Sequence, residues 1–259
     1  MEQLYHPFTL DSVPILYTGR RTAELVKYAS NAFLATKIAF INEMADLCEV
    51  LGADVSDVAR GMGMDTRIGP KFLMAGPGYG GSCFPKDTRA LLDIGKRVGK
   101  PSAIVAEVIE SNDARKRSMA DKVVAAMGGD VSGKTIGVLG LAFKPQTDDV
   151  RETPAFPIIE TLQSEGATIR AFDPEAMDEA REHLTDVEYT DGPYATADGA
   201  DALVIVTEWE DFRALDLARL KTVMAAPVLV DLRNVYTADA AGKAGFTYAG
   251  IGKPSDTAA

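Results

Sequence analysis

The chain has 259 residues, 46% of them hydrophobic and 25% charged, and carries a net charge of −11. This is ordinary for one or two cored domains and excludes disordered and fibrous classes, and the acidic balance argues against nucleic acid, which needs a basic stripe. Two cysteines make no disulfide framework, so a reducing, cytoplasmic home is expected, and nothing suggests a membrane span, a signal peptide or a metal site.

Residues 1–19 read as an irregular lead-in containing Pro7, Pro14 and Gly19, without a glycine fingerprint. Residues 22–51 then hold neither Pro nor Gly, and Leu25, Ala29, Ala32, Phe33, Thr36, Phe40 and Leu47 recur at helical spacing. Such a helix spans about 45 Å, more than one small core can cover, so packing against a partner subunit is expected. Lys27 and Asn31 lie one turn apart and share a face. Lysine is mostly exposed, and from pattern alone a solvated pair is the default reading. A short helix follows, capped by Asp54 or Ser56 and stopped by Gly61 and Gly63. Residues 64–70 read as a turn and 71–74 as a short helical piece.

The stretch Gly76-Pro77-Gly78-Tyr79-Gly80-Gly81-Ser82-Cys83-Phe84-Pro85-Lys86-Asp87-Thr88 organises the chain. Four glycines in six positions permit positive φ and close backbone approach to a ligand, and Pro85 suits the first turn of a helix over 86–98. Cys83 therefore sits beside a helix N-terminus, where free N–H groups and the helix dipole favour a thiolate. Most intracellular cysteines are small buried hydrophobes. The glycine run and the absence of an apolar period around Cys83 point instead to a nucleophile, whereas Cys48, inside an amphipathic helix, keeps the ordinary reading.

After a break at Gly99-Lys100-Pro101, residues 102–127 form a second long helix with a highly polar middle from Glu110 to Arg117, ended by Gly128-Gly129. The character then changes. Short apolar strands at 135–140, 168–172, 202–207, 228–232 and 246–249 alternate with helical stretches, one of them opened by Thr153 as N-cap with Pro154 at N1. That alternation means a parallel, doubly wound sheet. Ligands bind beyond the C-terminal strand ends of such sheets, where Phe143, Lys144 and Arg233 fall. Lys144 and Arg233 would converge there on one anion, although each alone is more often a solvated charge. Gly137-Val138-Leu139-Gly140-Leu141-Ala142 is not G-x-G-x-x-G, so a standard dinucleotide site is not indicated. Asp173-Pro174 reads as a turn, and residues 253–259 as a disordered tail.

The segments Glu24 to Phe33, Gly78 to Asp87 and Gly137 to Ala155 closely resemble the UDP-glucose/GDP-mannose dehydrogenase family, and Ser-Cys-Phe-Pro-Lys-Asp is most similar to its UDP-glucose 6-dehydrogenase branch. The resemblance runs from about residue 14 to 252. It implies an α/β fold class: an all-helical central dimerisation domain (20–130) followed by a Rossmann-like, doubly wound UDP-binding domain (131–259), in a homodimer held by the helix over 22–51. By the same resemblance Cys83 matches the nucleophile of a two-step, NAD-dependent oxidation of UDP-glucose to UDP-glucuronate through a thiohemiacetal and a thioester. Lys27 and Asn31 match the pair that holds water and stabilises oxyanions, and Asp87 the carboxylate that works with them. Phe72, Gly78, Tyr79, Gly80, Phe143, Lys144 and Arg233 match substrate contacts. Arg67 matches an arginine reaching the neighbouring subunit's substrate, and Lys86 and Arg151 match contacts to NAD. The family's N-terminal NAD-binding domain, with G-x-G-x-x-G and a Thr-Pro-Glu segment, has no counterpart here. The chain is therefore expected to be a fragment that does not turn over alone, residues 1–19 being a remnant of that domain. A sister nucleotide-sugar dehydrogenase acting on GDP-mannose or UDP-N-acetylmannosamine, and a non-catalytic oligomerisation or UDP-binding module, are the alternatives.

Overall fold

The computed structural model describes Tyr5 and residues 15–253. Most of the expected lead-in, and the expected tail apart from Lys253, lie outside the described residues.

The N-terminal half is helical. Helix α1 (Arg20–Leu51) ends where Gly52 turns left-handed and returns its N–H to the Cys48 carbonyl. Helix α2 (Val55–Gly63) is capped by the Asp54 side chain on the Ser56 N–H. Helices α3 (Phe84–Arg97) and α4 (Ala103–Ala126) complete the layer, and Ser102 caps α4 through the Val105 N–H. The face that α1 turns inward is built from small and amide residues: Asn31, Ala32, Ala35, Ala39, Ile41, Asn42, Ala45 and Cys48. Small side chains let α3 and α4 approach closely. The larger apolar residues of the expected stripe, Leu25, Phe33, Phe40 and Leu47, are exposed on other faces of the helix, Phe33 by 67%. Residues 71–74, expected to be helical, are turn and loop, because Phe72 takes the left-handed conformation (φ 64°) and a helix cannot continue through it.

The C-terminal half is a six-stranded, wholly parallel sheet in the order β3-β2-β1-β4-β5-β6. Its strands are β1 (Thr135–Leu139), β2 (Thr168–Phe172), β3 (Val187–Tyr189), β4 (Ala202–Ile205), β5 (Val228–Asp231) and β6 (Thr247–Gly250). This is the doubly wound order, with its switch point between β1 and β4. Strand β4 is buried at all four positions, as expected of a strand covered on both faces. Strand β3 escapes sequence reading because it is an edge strand of three residues carrying Glu188 in its centre. The helix after β1, α5 (Ala155–Ser164), begins one residue later than expected. Pro154 is its cap, and the Thr153 hydroxyl accepts the Ala155 N–H at 3.3 Å.

The halves share one hydrophobic core. Ile41, Ala45, Cys48, Val55 and Leu73 pack in the same cluster as Val138, Ile159 and Val204 of the sheet half. The last described residues fasten them further. The Gly252 N–H donates to Glu49 at 2.7 Å, the Val55 N–H to the Gly252 carbonyl at 2.9 Å, and Lys253 Nζ to Asp54 and Ser56 at 2.7 Å each. Lys253, expected to begin a disordered tail, is thus anchored.

Candidate active site

The glycine loop lies where the helical layer meets the C-terminal ends of β1, β4 and β5. Buried side chains of α1 and α4 hold it by its backbone. Asn42 accepts the Gly76 N–H at 2.8 Å, and Arg115 Nε donates to the Gly76 carbonyl at 3.1 Å. Asn112 accepts the Tyr79 N–H at 2.8 Å and donates to the Tyr79 carbonyl at 3.1 Å. Buried polar groups need partners, and a loop without secondary structure of its own finds them here in amides borrowed from helices. Gly78 has φ 113°, and a Cβ at Gly81 (φ 80°) would lie 2.6 Å from the Phe143 ring. Both positions therefore require glycine.

Cys83 is exposed and occupies the N-cap of α3. Its Sγ lies 3.7 Å from the Ser82 hydroxyl, with Lys86 and Arg151 beside it. Together with Arg89 and Glu152 these residues line an open groove of about 530 Å³. One turn along α3, Asp87 is 3% exposed. Lys27 Nζ donates to Asn31 Oδ1 at 3.3 Å, Asn31 Nδ2 to Asp87 Oδ2 at 2.5 Å, and Lys86 Nζ to Asp87 Oδ1. Burial pushes the Asp87 carboxyl up, but hydrogen bonds from Lys86 and Asn31 and the charges of Lys86 and Lys27 outweigh it and hold the group below its ordinary value. The expected set Lys27, Asn31 and Asp87 thus forms one hydrogen-bonded row, which Lys86 joins.

A second cavity, about 630 Å³, opens on the other side of the loop. Phe72, Gly78, Tyr79 and Gly80 line it from the loop and its approach, Phe143 and Lys144 from beyond β1, and Arg233 from beyond β5. Burial pushes the Tyr79 phenol up to about 12, so it stays protonated. Phe84 stands between the rings, 6.1 Å from Phe72 and 5.9 Å from Tyr79. Arg233 Nε donates to the Val206 carbonyl at 2.8 Å and faces Glu208 at 3.1 Å. Arg67 lies in an exposed turn, paired with Asp65 at 2.5 Å, and lines neither cavity.

Several contributors were not legible. Lys71, Glu208 and Arg213 line the second cavity without belonging to any motif. Asn112, Arg115 and Lys116 are buried. Their signal is the polar run at 110–117 inside a long helix, too many polar groups for a stripe that must face a core. Asp173 is not a mere turn residue: fully buried, it accepts the N–H groups of Leu141 and Ala142 at 2.7 and 3.0 Å, of Glu175 and Ala176 at 3.0 and 2.9 Å, and the Trp209 indole N–H at 3.1 Å.

Residues 21–114 match the central domain of the UDP-glucose/GDP-mannose dehydrogenase family, and residues 137–238 match that family's UDP binding domain. The UDP-glucose 6-dehydrogenase of Rhizobium meliloti is 55% identical over 254 residues, covering 98% of this chain and 58% of the relative. TuaD, a UDP-glucose 6-dehydrogenase of Bacillus subtilis, is 48% identical over 256 residues, 98% of this chain and 55% of the relative. Among solved structures, a UDP-glucose dehydrogenase from Pyrobaculum islandicum superposes with a TM-score of 0.85 at 39% identity, over 97% of this chain and 56% of that one. A UDP-D-ManNAc dehydrogenase from Pyrococcus horikoshii gives 0.83 at 28% identity, over the same shares. The chain spans a little over half the length of the relatives it matches.

Proposed function

This chain belongs to the UDP-glucose/GDP-mannose dehydrogenase family, and from that premise we propose that it supplies the substrate-binding and nucleophile-bearing parts of a UDP-glucose 6-dehydrogenase. The complete oxidation is proposed for a full-length member of the family. For this stretch, the testable parts are ligand binding and thiol chemistry.

The observation that carries the reading is the convergence of the glycine loop and the strand ends on one cavity, with Cys83 on a separate groove lined by the same loop. Lys144 and Arg233 from the strand ends, with Lys71 and Arg213, bring cations to a wall that also carries Glu208 and the rings of Phe72, Tyr79 and Phe143. That combination suits a sugar diphosphate attached to a flat base. Cys83, on the adjoining groove, holds the sugar carbon covalently, first as a thiohemiacetal and then as a thioester, so that one hard oxidation is divided in two. Lys27 and Asn31 stabilise the oxyanion that develops at each stage. Asp87, ionised at neutral pH, orients the Lys27–Asn31 pair and accepts a proton from the water that releases the acid.

NAD, when bound, accepts the hydrides. Lys86 and Arg151 on the groove around Cys83 fit an anionic cofactor, and they are the residues of this chain that would meet it. The first turn of the sheet does not fit one, because the Leu141 and Ala142 N–H groups that would face a diphosphate are held by Asp173. The relation to a solved UDP-D-ManNAc dehydrogenase makes a sister sugar specificity the second reading.

Calorimetric titration with UDP, UDP-glucose, UDP-N-acetylmannosamine and GDP-mannose tests both readings, the second requiring UDP-N-acetylmannosamine to bind more tightly than UDP-glucose. UDP and UDP-glucose are expected to bind and GDP-mannose not to, and Lys144→Ala is expected to weaken UDP about tenfold or more, the loss of one charge-assisted contact of about 1.5–3 kcal/mol. Equal binding of GDP-mannose, or no effect of Lys144→Ala, would refute the assignment.

A further inference from the structure

Lys116 takes no part in the chemistry above, yet only 5% of it is exposed, and lysine is seldom buried so deeply unless paired. Its Nζ donates to the Glu152 carbonyl at 2.9 Å and lies 3.5 Å from the Glu152 carboxylate. Glu152 is itself unusual. Its φ of 55° is left-handed, a conformation that residues other than glycine keep only when their surroundings impose it. Its carboxylate takes two N–H groups of Arg89, at 2.6 and 3.3 Å. Next to it, the Arg151 carbonyl accepts the Gly81 N–H at 2.8 Å, two residues before the cysteine. A side chain at Gly80 would collide with the Glu152 carbonyl, so turn and loop meet backbone to backbone. Arg89, Arg151 and Glu152 all line the groove that holds Cys83.

We propose that Lys116 is a positioning residue for the thiol: by holding the left-handed Glu152 turn against the glycine loop, it fixes Arg151 and the loop relative to the Cys83 sulfur. The inference rests on Cys83 being the reactive cysteine of the preceding subsection. Lys116 satisfies both the carbonyl that the strained turn pushes inward and part of the carboxylate that follows it, so the turn has one conformation. Without the ammonium, the Glu152 backbone is free to leave the left-handed region and the Arg151–Gly81 bond loses its support, so the loop carrying Cys83 shifts relative to the Arg151 guanidinium, which stays paired with Asp149.

The test is the rate at which iodoacetamide alkylates Cys83 in the 259-residue chain, read by peptide mass mapping, with buried Cys48 as internal reference. Lys116→Met is expected to slow the reaction about tenfold, the effect of removing one nearby cation from a thiolate. Loss of the Lys116 charge through space would do the same, so the comparison is repeated in a Glu152→Gly background, where glycine keeps the left-handed turn without help. There Lys116→Met is expected to stay within about twofold of Glu152→Gly, whereas a slowing of about tenfold in that background would assign the effect to charge and overturn the proposal. A Lys116→Met rate within twofold of the parent in the original chain overturns it as well. The glycine background removes both the strain and the carboxylate partner, so the double variant serves even where Lys116→Met alone does not fold. A parent rate no faster than that of a free cysteine would instead overturn the assignment of Cys83 as nucleophile, and this inference with it.

Discussion

At Asp87 a nearly inaccessible carboxylate is kept ionised by an amide and an ammonium that reach it from different directions. Its folded-state pKa lies below the unfolded value near 3.9. The ionised group therefore stabilises the fold above that value, and its contribution drains away as pH falls through the lower, folded-state pKa. Asp87→Asn is expected to lower the urea unfolding free energy by about 1.5–3 kcal/mol at pH 7, the usual worth of hydrogen bonds to a charged group, and by far less near pH 2. Equal losses at both pH values would assign the effect to packing. Asp87 was legible because it lies four residues beyond Cys83 on one helix. Lys86 in the same row was not, since adjacent residues on a helix do not share a face and only the long lysine stem lets it curl back.

Among the elements, α1 departs furthest from its sequence pattern. A hydrophobic period normally marks the buried face, but here alanines and asparagines face the protein's own core while Phe33, Phe40 and Leu47 stay exposed. We propose these residues as the contact surface of the homodimer expected from the sequence, since exposed large apolar groups along one helix mark association sites. The double variant Phe33→Glu with Phe40→Glu is expected to sediment as a monomer and to keep its far-UV circular dichroism. A parent chain that is monomeric at micromolar concentration would refute this. Helix α4 departs in the opposite direction, with Asn112, Arg115 and Lys116 of its most polar segment buried. Both departures have one cause: the helical layer is organised around a loop with many unpaired peptide groups, and amides and cations supply partners that alkyl side chains cannot.

For the molecule as a whole, the shift from helices to strands between Ala126 and Thr135 is plain in the sequence, as are Phe143, Lys144 and Arg233, because strand ends of a parallel sheet are where ligands gather. The shared core is not legible, since no local pattern says that Ile41 and Val55 will pack with the sheet cluster. That continuity predicts a single unfolding transition. Trp209, the one tryptophan, reports on the sheet half, and helical circular dichroism comes mostly from α1–α4. The urea midpoints from the two probes are expected to coincide, and two separated midpoints would mean that the halves are thermodynamically independent.

The cradle built around Asp173 also sets a limit for anyone redesigning the molecule. Grafting a glycine fingerprint onto the first crossover, so that the C-terminal half would accept a dinucleotide of its own, would fail while that acid remains, because it would repel the incoming diphosphate from the amides meant to grip it. Deleting it would leave an indole and four peptide donors without an acceptor. Cofactor choice in this half is therefore written into its core and cannot be edited at the rim.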